Sequence, residues 1–205
     1  MEYKTKRFFI IGVGVFLLVI LYLLKNSSLF IRFAGFFFGL IVFYLVGHLF
    51  KIRFKIQHYI YIIIILLSGI LLAPLYFFSE NYDKVLHFLS PVFGSIIIFY
   101  MINSKRLNFQ WKLLVTFMFV VSFLAIHEMG EYLIDLMWDL KLQGVYIRDV
   151  SGIEKFHLVM PKNDDTMIDM LFGTFGGFVF VIGKTINYYL SRGKISLKNY
   201  SINRA

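Results

Sequence analysis

The chain reads as an all-α protein, a polytopic membrane bundle of about six transmembrane helices. Three observations predict this class. Of its 205 residues, 59% are hydrophobic and 20% aromatic, against 16% charged, well outside the balance of a soluble domain. Apolar runs recur along the chain, each near the ~20 residues needed to cross the hydrocarbon core. Basic clusters mark every second connection: Lys4, Lys6 and Arg7; Lys51, Arg53 and Lys55; Lys105, Arg106 and Lys112; and Arg192, Lys194, Lys198 and Arg204. That alternation is the positive-inside pattern and predicts that both termini are cytoplasmic.

The runs take up the whole chain, so residues 1–205 are read as a single integral membrane domain with no separate soluble part. Span one covers residues 8–24. A polar turn, Lys25-Asn26-Ser27-Ser28, follows it in place of a small-residue cleavage site, which predicts an uncleaved signal anchor. Span two covers 29–50, with Arg32 near its outer end, where the stem can snorkel to the headgroups or meet a substrate phosphate. Span three covers 56–78, with Pro74 expected to kink its outer end. His48 and His58 fall at the cytoplasmic ends of spans two and three and are read as interfacial.

Span four covers 82–102 and carries Asp83 in its first turn, where an acid complements the helix dipole, and His87 one turn deeper. Span five covers 111–138. Span six covers 164–183, with Asp165 and Asp169 in its first two turns and a small-xxx-small pair, Gly173 and Gly177, that would admit another helix closely. Between them lies an outer loop, 139–163, which is read either as a lid over the outer mouth or as a plain surface loop.

The net charge of +9 does not form one stripe, which argues against nucleic acid as a partner and leaves membrane lipids. Cysteine is absent, so any metal would be held by His, Asp or Glu. Within span five, His127, Glu128, Glu131 and Asp135 fall within about 100° of one another on one helix face. Asp83 with His87, and Asp165 with Asp169, share faces by their i, i+4 spacing. Ionisable groups at such depth are costly and normally face partners, water or an ion. The topology puts all three sets in the outer half of the bilayer.

Five carboxylates, Asp83, Glu128, Glu131, Asp165 and Asp169, then have Lys84 as their one obvious neighbouring cation. So many like charges in a low-dielectric pocket need shared protons or bound cations. Three readings follow: a polar network that joins helices, a proton or ion pathway, or a metal site. The metal reading takes Asp83, His87, Glu131, Asp165 and Asp169 as ligands and Glu128 or His127 as the base. Imidazole with carboxylates suits zinc, manganese or iron. His127-Glu128-x-x-Glu131 is similar to the His-Glu-x-x-His helix of zinc proteases but has Glu131 in place of the second His.

Asp83-Lys84-Val85-Leu86-His87-Phe88, the segment around Glu128 and Glu131, and Asp165-Thr166-Met167-Ile168-Asp169-Met170 followed by Gly176-Gly177 resemble three signature segments of the YjdF-like family. Asp-x-x-x-His-Phe more distantly resembles the VanZ-like family, which usually reads Asn where Asp169 stands. The approach to the Asp-Thr pair, Pro161-Lys162-Asn163-Asp164, is not Gly-rich as those families lead one to expect. The resemblance implies a bacterial multi-pass membrane protein and groups the residues of spans four to six. It assigns no reaction.

The expectation is therefore a multi-pass cell-membrane protein with a divalent-metal site facing the extracytoplasmic side. It would be a hydrolase or transferase acting on an envelope lipid or lipid-linked substrate. The alternative is a non-enzymatic carrier or ion pathway built on the same acids.

Overall fold

The computed structural model describes residues 19, 27–138, 141–148 and 156–202, with side chains described from 33 to 191 within those ranges except at 73 and 138. Span one, at 8–24, lies outside the described residues apart from Val19, and so does the side chain of Arg32. The chain is mostly helical. It divides into two compact units, Met1–Leu75 and Tyr76–Ala205.

In the first unit, helix α1 covers Ser27–Leu49 and helix α2 covers Ile56–Leu66. Gly39 lets α1 lie against Leu66, and Phe43 stacks on Phe54 with ring centroids 4.5 Å apart. His58 is buried, and its Nδ1 accepts the backbone N–H of Lys55 at 3.1 Å, tying down the start of α2. His58 is thus a buried helix-end contact, whereas His48 is exposed. Before Pro74 the helix loosens into a π-turn, Leu67–Leu71, and Pro74 itself lies in a 3-10 turn, Ala73–Phe77. Proline has no N–H to continue an α-helix and its ring crowds the preceding turn, so a break of this kind is expected there.

The second unit holds α3 (Glu80–Asn103), α4 (Phe109–Trp138) and α5 (Lys162–Ile202). Among the described residues these are the three helices long and apolar enough to cross a membrane; the apolar helices Phe33–Leu49 and Ile56–Leu71 are shorter. Their starts fall within two residues of the expected spans, and α5 continues well past residue 183. Leu86, Ile97 and Phe99 of α3 and Leu113, Val120 and Leu124 of α4 are buried.

The glycines of α5 set its approach to both neighbours. A Cβ on Gly176 would overlap the backbone carbonyl of Phe88, one on Gly173 would overlap Leu124, and one on Gly177 would press on Phe117. The close approach expected at Gly173 and Gly177 is present, and Gly176 between them makes the backbone contact.

Among its described residues, the connection from α4 to α5 is more than a plain loop. It contains a two-stranded antiparallel hairpin, β1 (Val145–Arg148) with β2 (Phe156–Met160), irregular between Val145 and Tyr146. Gly144 enters it at φ +86°, a left-handed conformation that favours glycine.

Candidate functional site

The acidic end of α3 begins with Glu80 and Asp83 in the first turn, near the positive end of the helix dipole. Lys84 and His87 follow on the buried side, at 8% exposure each. One turn beyond His87 stands Pro91, buried inside the helix, which offers no N–H to the His87 carbonyl. Helix α5 brings Asp165 and Asp169, at 3% and 2% exposure, and α4 brings Glu128 at 6%.

Two centres organise these groups. The first is the Lys84 ammonium. It donates to Asp165 Oδ1, lies 3.1 Å from Asp169 Oδ1 and is 3.6 Å from Asp83 Oδ2. A four-carbon stem swings one cation into the gap between α3 and α5. Its charge offsets part of the repulsion among three carboxylates.

The second centre is the His87 ring. Its Nε2 lies 3.5 Å from Asp83 Oδ1 and 4.0 Å from Asp169 Oδ2, and its Nδ1 lies 3.6 Å from Glu128 Oε1. These separations exceed hydrogen-bonding distance. Glu128 Oε1 is buried and has no hydrogen-bond partner, an arrangement that ordinarily costs about 1–3 kcal/mol. The ring of His127 meets that of His87 nearly edge-on, with centroids 5.6 Å apart, and His127 Nδ1 lies 3.7 Å from Glu131 Oε1. Unlike the others, His127 is exposed on its helix face, at 57% of its side chain.

Toward the hairpin the acids take backbone partners. Asp165 Oδ2 accepts the Gly144 N–H at 2.8 Å. Asp135 accepts the N–H groups of Leu142 and Gln143 at 2.8 and 3.1 Å and pairs with Lys162 at 3.1 Å. Gln143 Nε2 donates to the Thr166 hydroxyl at 3.2 Å, and Thr166 in turn bonds Glu128. The segment before β1 is thereby tied to the start of α5 and, through Thr166, to the His87 centre.

Of the expected ligands, the fold draws Asp83, His87 and Asp169 into one group whose ligand atoms lie within 4.8 Å of one another. His87, His127 and Glu128 form a second such group. Asp165 stands beside the first group, engaged by Lys84 and Gly144, and Glu131 stands behind His127. Asp135 shares their helix face but serves the loop. Lys84, the one cation the sequence puts near the acids, meets three of them; that it does so from between α3 and α5 does not follow from spacing, because it starts about 100° around the helix from Asp83.

A mostly helical chain with long apolar helices and ionisable groups packed between them is a membrane protein. It belongs to the predicted membrane protein family DUF2238, which residues 6–188 match. No curated protein and no solved structure matches the chain.

Proposed function

We propose that Asp83, His87 and Asp169 bind a divalent metal, and that the protein is a metal-dependent hydrolase or transferase acting on an envelope lipid or lipid-linked substrate. The spacing around His87 Nε2 carries this reading. Two ligand atoms each ~2.1 Å from a tetrahedral ion stand ~3.4 Å apart, and the gaps to Asp83 and Asp169 are 3.5 and 4.0 Å. Both are wide for hydrogen bonds; the first matches two groups that share an ion, and the second needs a small inward shift of Asp169 to do so.

The same geometry gives roles to the neighbours. With Nε2 facing the ion, Nδ1–H points toward Glu128, the carboxylate–histidine pairing that fixes ring orientation at metal centres. Lys84 holds Asp165 and Asp169 in place. His127, exposed and backed by Glu131, is then the better placed general base, and Glu128 the orienting acid. Zinc, manganese or iron suits this donor set. The metal would supply a Lewis acid for a phosphoryl or acyl oxygen, or an activated water.

The reading includes the six-span topology with both termini cytoplasmic, which puts the cluster in the outer half of the cell membrane. It is supported by the alternation of basic clusters along the sequence. The YjdF-like resemblance of spans four to six groups the same residues, and the more distant VanZ-like one shares the Asp83 and His87 segment.

The test is metal content of the purified full-length protein. Stoichiometric metal is expected in the wild type, lost in His87→Ala and Asp169→Asn, and bound about 10–100-fold more weakly in Glu128→Gln. One observation favours a second reading: Lys84 already supplies a cation to three acids, as in a proton or ion pathway. Metal-free wild type that drives proton- or ion-coupled flux in proteoliposomes would establish that reading and overturn the first.

A further inference from the structure

At the far end of the second unit, about 30 Å along α3 from Asp83, a cavity of about 360 Å³ lies between the helices. Asn103 closes α3 beside it, Phe109 and Lys112 open α4, and Lys184 and Tyr188 come from α5. Two lysines line it and no acid does. Lys112 Nζ donates to the Asn103 carbonyl at 2.9 Å and to Asn103 Oδ1 at 3.0 Å, capping α3 and leaving one of its three N–H donors. Lys184 Nζ sits over the Phe99 ring, 4.9 Å from its centroid. Phe109 and Tyr188 stack at 3.9 Å and form an apolar wall.

We infer that this cavity binds the phosphate of an anionic lipid headgroup, held between Lys112 and Lys184. Three features select the ligand. The positive lining, without a neighbouring carboxylate, favours an anion. The volume has room for a phosphate and its ester carbons but is small for a whole lipid. The place is where the helices end: Lys105 and Arg106 form the turn between α3 and α4, and Trp111 stands exposed at the start of α4. Basic and aromatic residues together mark the headgroup layer, and a lysine whose stem runs along an aromatic ring is placed to reach up to it. On the proposed topology this is the cytoplasmic leaflet, whose surface carries anionic lipid. The inference concerns residues far from the acidic cluster and does not depend on a metal there.

The test uses the full-length protein in detergent, with lipid binding followed by native mass spectrometry. Phosphatidylglycerol is expected to bind more tightly than phosphatidylcholine. Lys184→Gln should weaken phosphatidylglycerol binding about fivefold, the effect of one basic residue near such a surface. Lys112→Gln should weaken it similarly, and because Lys112 also caps α3, Lys184→Gln is the decisive variant. Arg106→Gln removes the same charge outside the cavity and should leave binding unchanged. Equal weakening in Arg106→Gln and Lys184→Gln would mean general surface attraction and overturn the site. Unchanged binding in Lys184→Gln would overturn it too, and displacement of the lipid by equimolar inorganic phosphate would overturn its assignment to a lipid.

Discussion

The two ends of the α3, α4 and α5 unit carry opposite chemistry and are packed in opposite ways. At the acidic end, Gly173, Gly176 and Gly177 bring α5 against α3 and α4, so that Asp165 and Asp169 are buried beside Lys84 and His87. At the basic end, the rings of Phe99, Phe109, Phe180 and Tyr188 lie between the helices, and Lys112 and Lys184 border a cavity. Small residues convert i, i+4 spacing into contact between helices, whereas large rings leave space for a ligand. The same residue type, lysine, therefore has two different roles. Lys84 is a structural counter-ion, and Lys184 is available to an anion from outside the chain.

The comparison breaks most visibly at Lys84. Lys84→Met keeps the stem and removes the charge, leaving Asp83, Asp165 and Asp169 without their cation. Breaking a buried pair in this way costs about 3–5 kcal/mol. A large drop in thermal stability in detergent is expected, with partial rescue by Lys84→Met/Asp165→Asn, which removes one of the stranded acids. A single variant as stable as the wild type would show that the acids do not rely on the ammonium.

Next in size is the glycine contact. In Gly176→Ala the new methyl meets the Phe88 carbonyl, which cannot move aside as a side chain can, so α3 and α5 must separate. Overpacking of this kind costs about 1–3 kcal/mol. The added distance should also loosen the Asp83, His87 and Asp169 group, so metal affinity is expected to fall with stability. Gly94→Ala, on α3 with nothing within 4 Å of the new Cβ, is the control and should do neither.

How far these features can be read from the sequence follows from the same contrast. The i, i+4 pairs Asp83 with His87 and Asp165 with Asp169 are legible because helix periodicity alone puts each pair on one face, and positive-inside topology brings the faces to one depth. Lys84 is legible as the cation near the acids, but its seat between α3 and α5 is not, because that depends on how a flexible stem bends between helices. Gly176 escapes for a related reason: the motif spacing of Gly173 and Gly177 shows that α5 can be approached, and the rotation of the helix decides which glycine meets backbone. The hairpin did leave a signal. Val145-Tyr146-Ile147 and Phe156-His157-Leu158-Val159 are rich in β-branched, aromatic and other apolar residues, and Gly144 precedes the first of them. Charged residues around them make the segment look like a plain loop. The basic cavity has no sequence signature, since its lining comes from three separate helices.

Asp135 tests the boundary of the acidic end. Although it shares a helix face with Glu128 and Glu131, its partners are the Leu142 and Gln143 N–H groups and Lys162. Asp135→Ala should cost about 1–2 kcal/mol, from two lost backbone hydrogen bonds partly replaced by water. Hydrogen exchange at Leu142 and Gln143 should quicken while metal content is retained. Loss of metal in this variant would bring Asp135 into the centre and change the ligand set.

The smallest effect is expected at the basic end. Lys184 is half-buried, and its ammonium lies over the face of Phe99; such a cation–π pair is worth about 0.5–1 kcal/mol where water can reach it. Lys184→Gln keeps most of the stem, so its loss of stability should not exceed that range, several times less than for Lys84→Met. Thermal melts of both variants in the same lipid-free detergent measure the ratio directly. Adding phosphatidylglycerol should then raise the melting temperature of the wild type and of Lys84→Met alike, and that of Lys184→Gln less, because a ligand that binds the folded state more tightly stabilises it more at the same concentration. If Lys184→Gln proved as damaging as Lys84→Met without lipid, the basic end would be a second structural counter-ion site, and the contrast between the two ends would disappear.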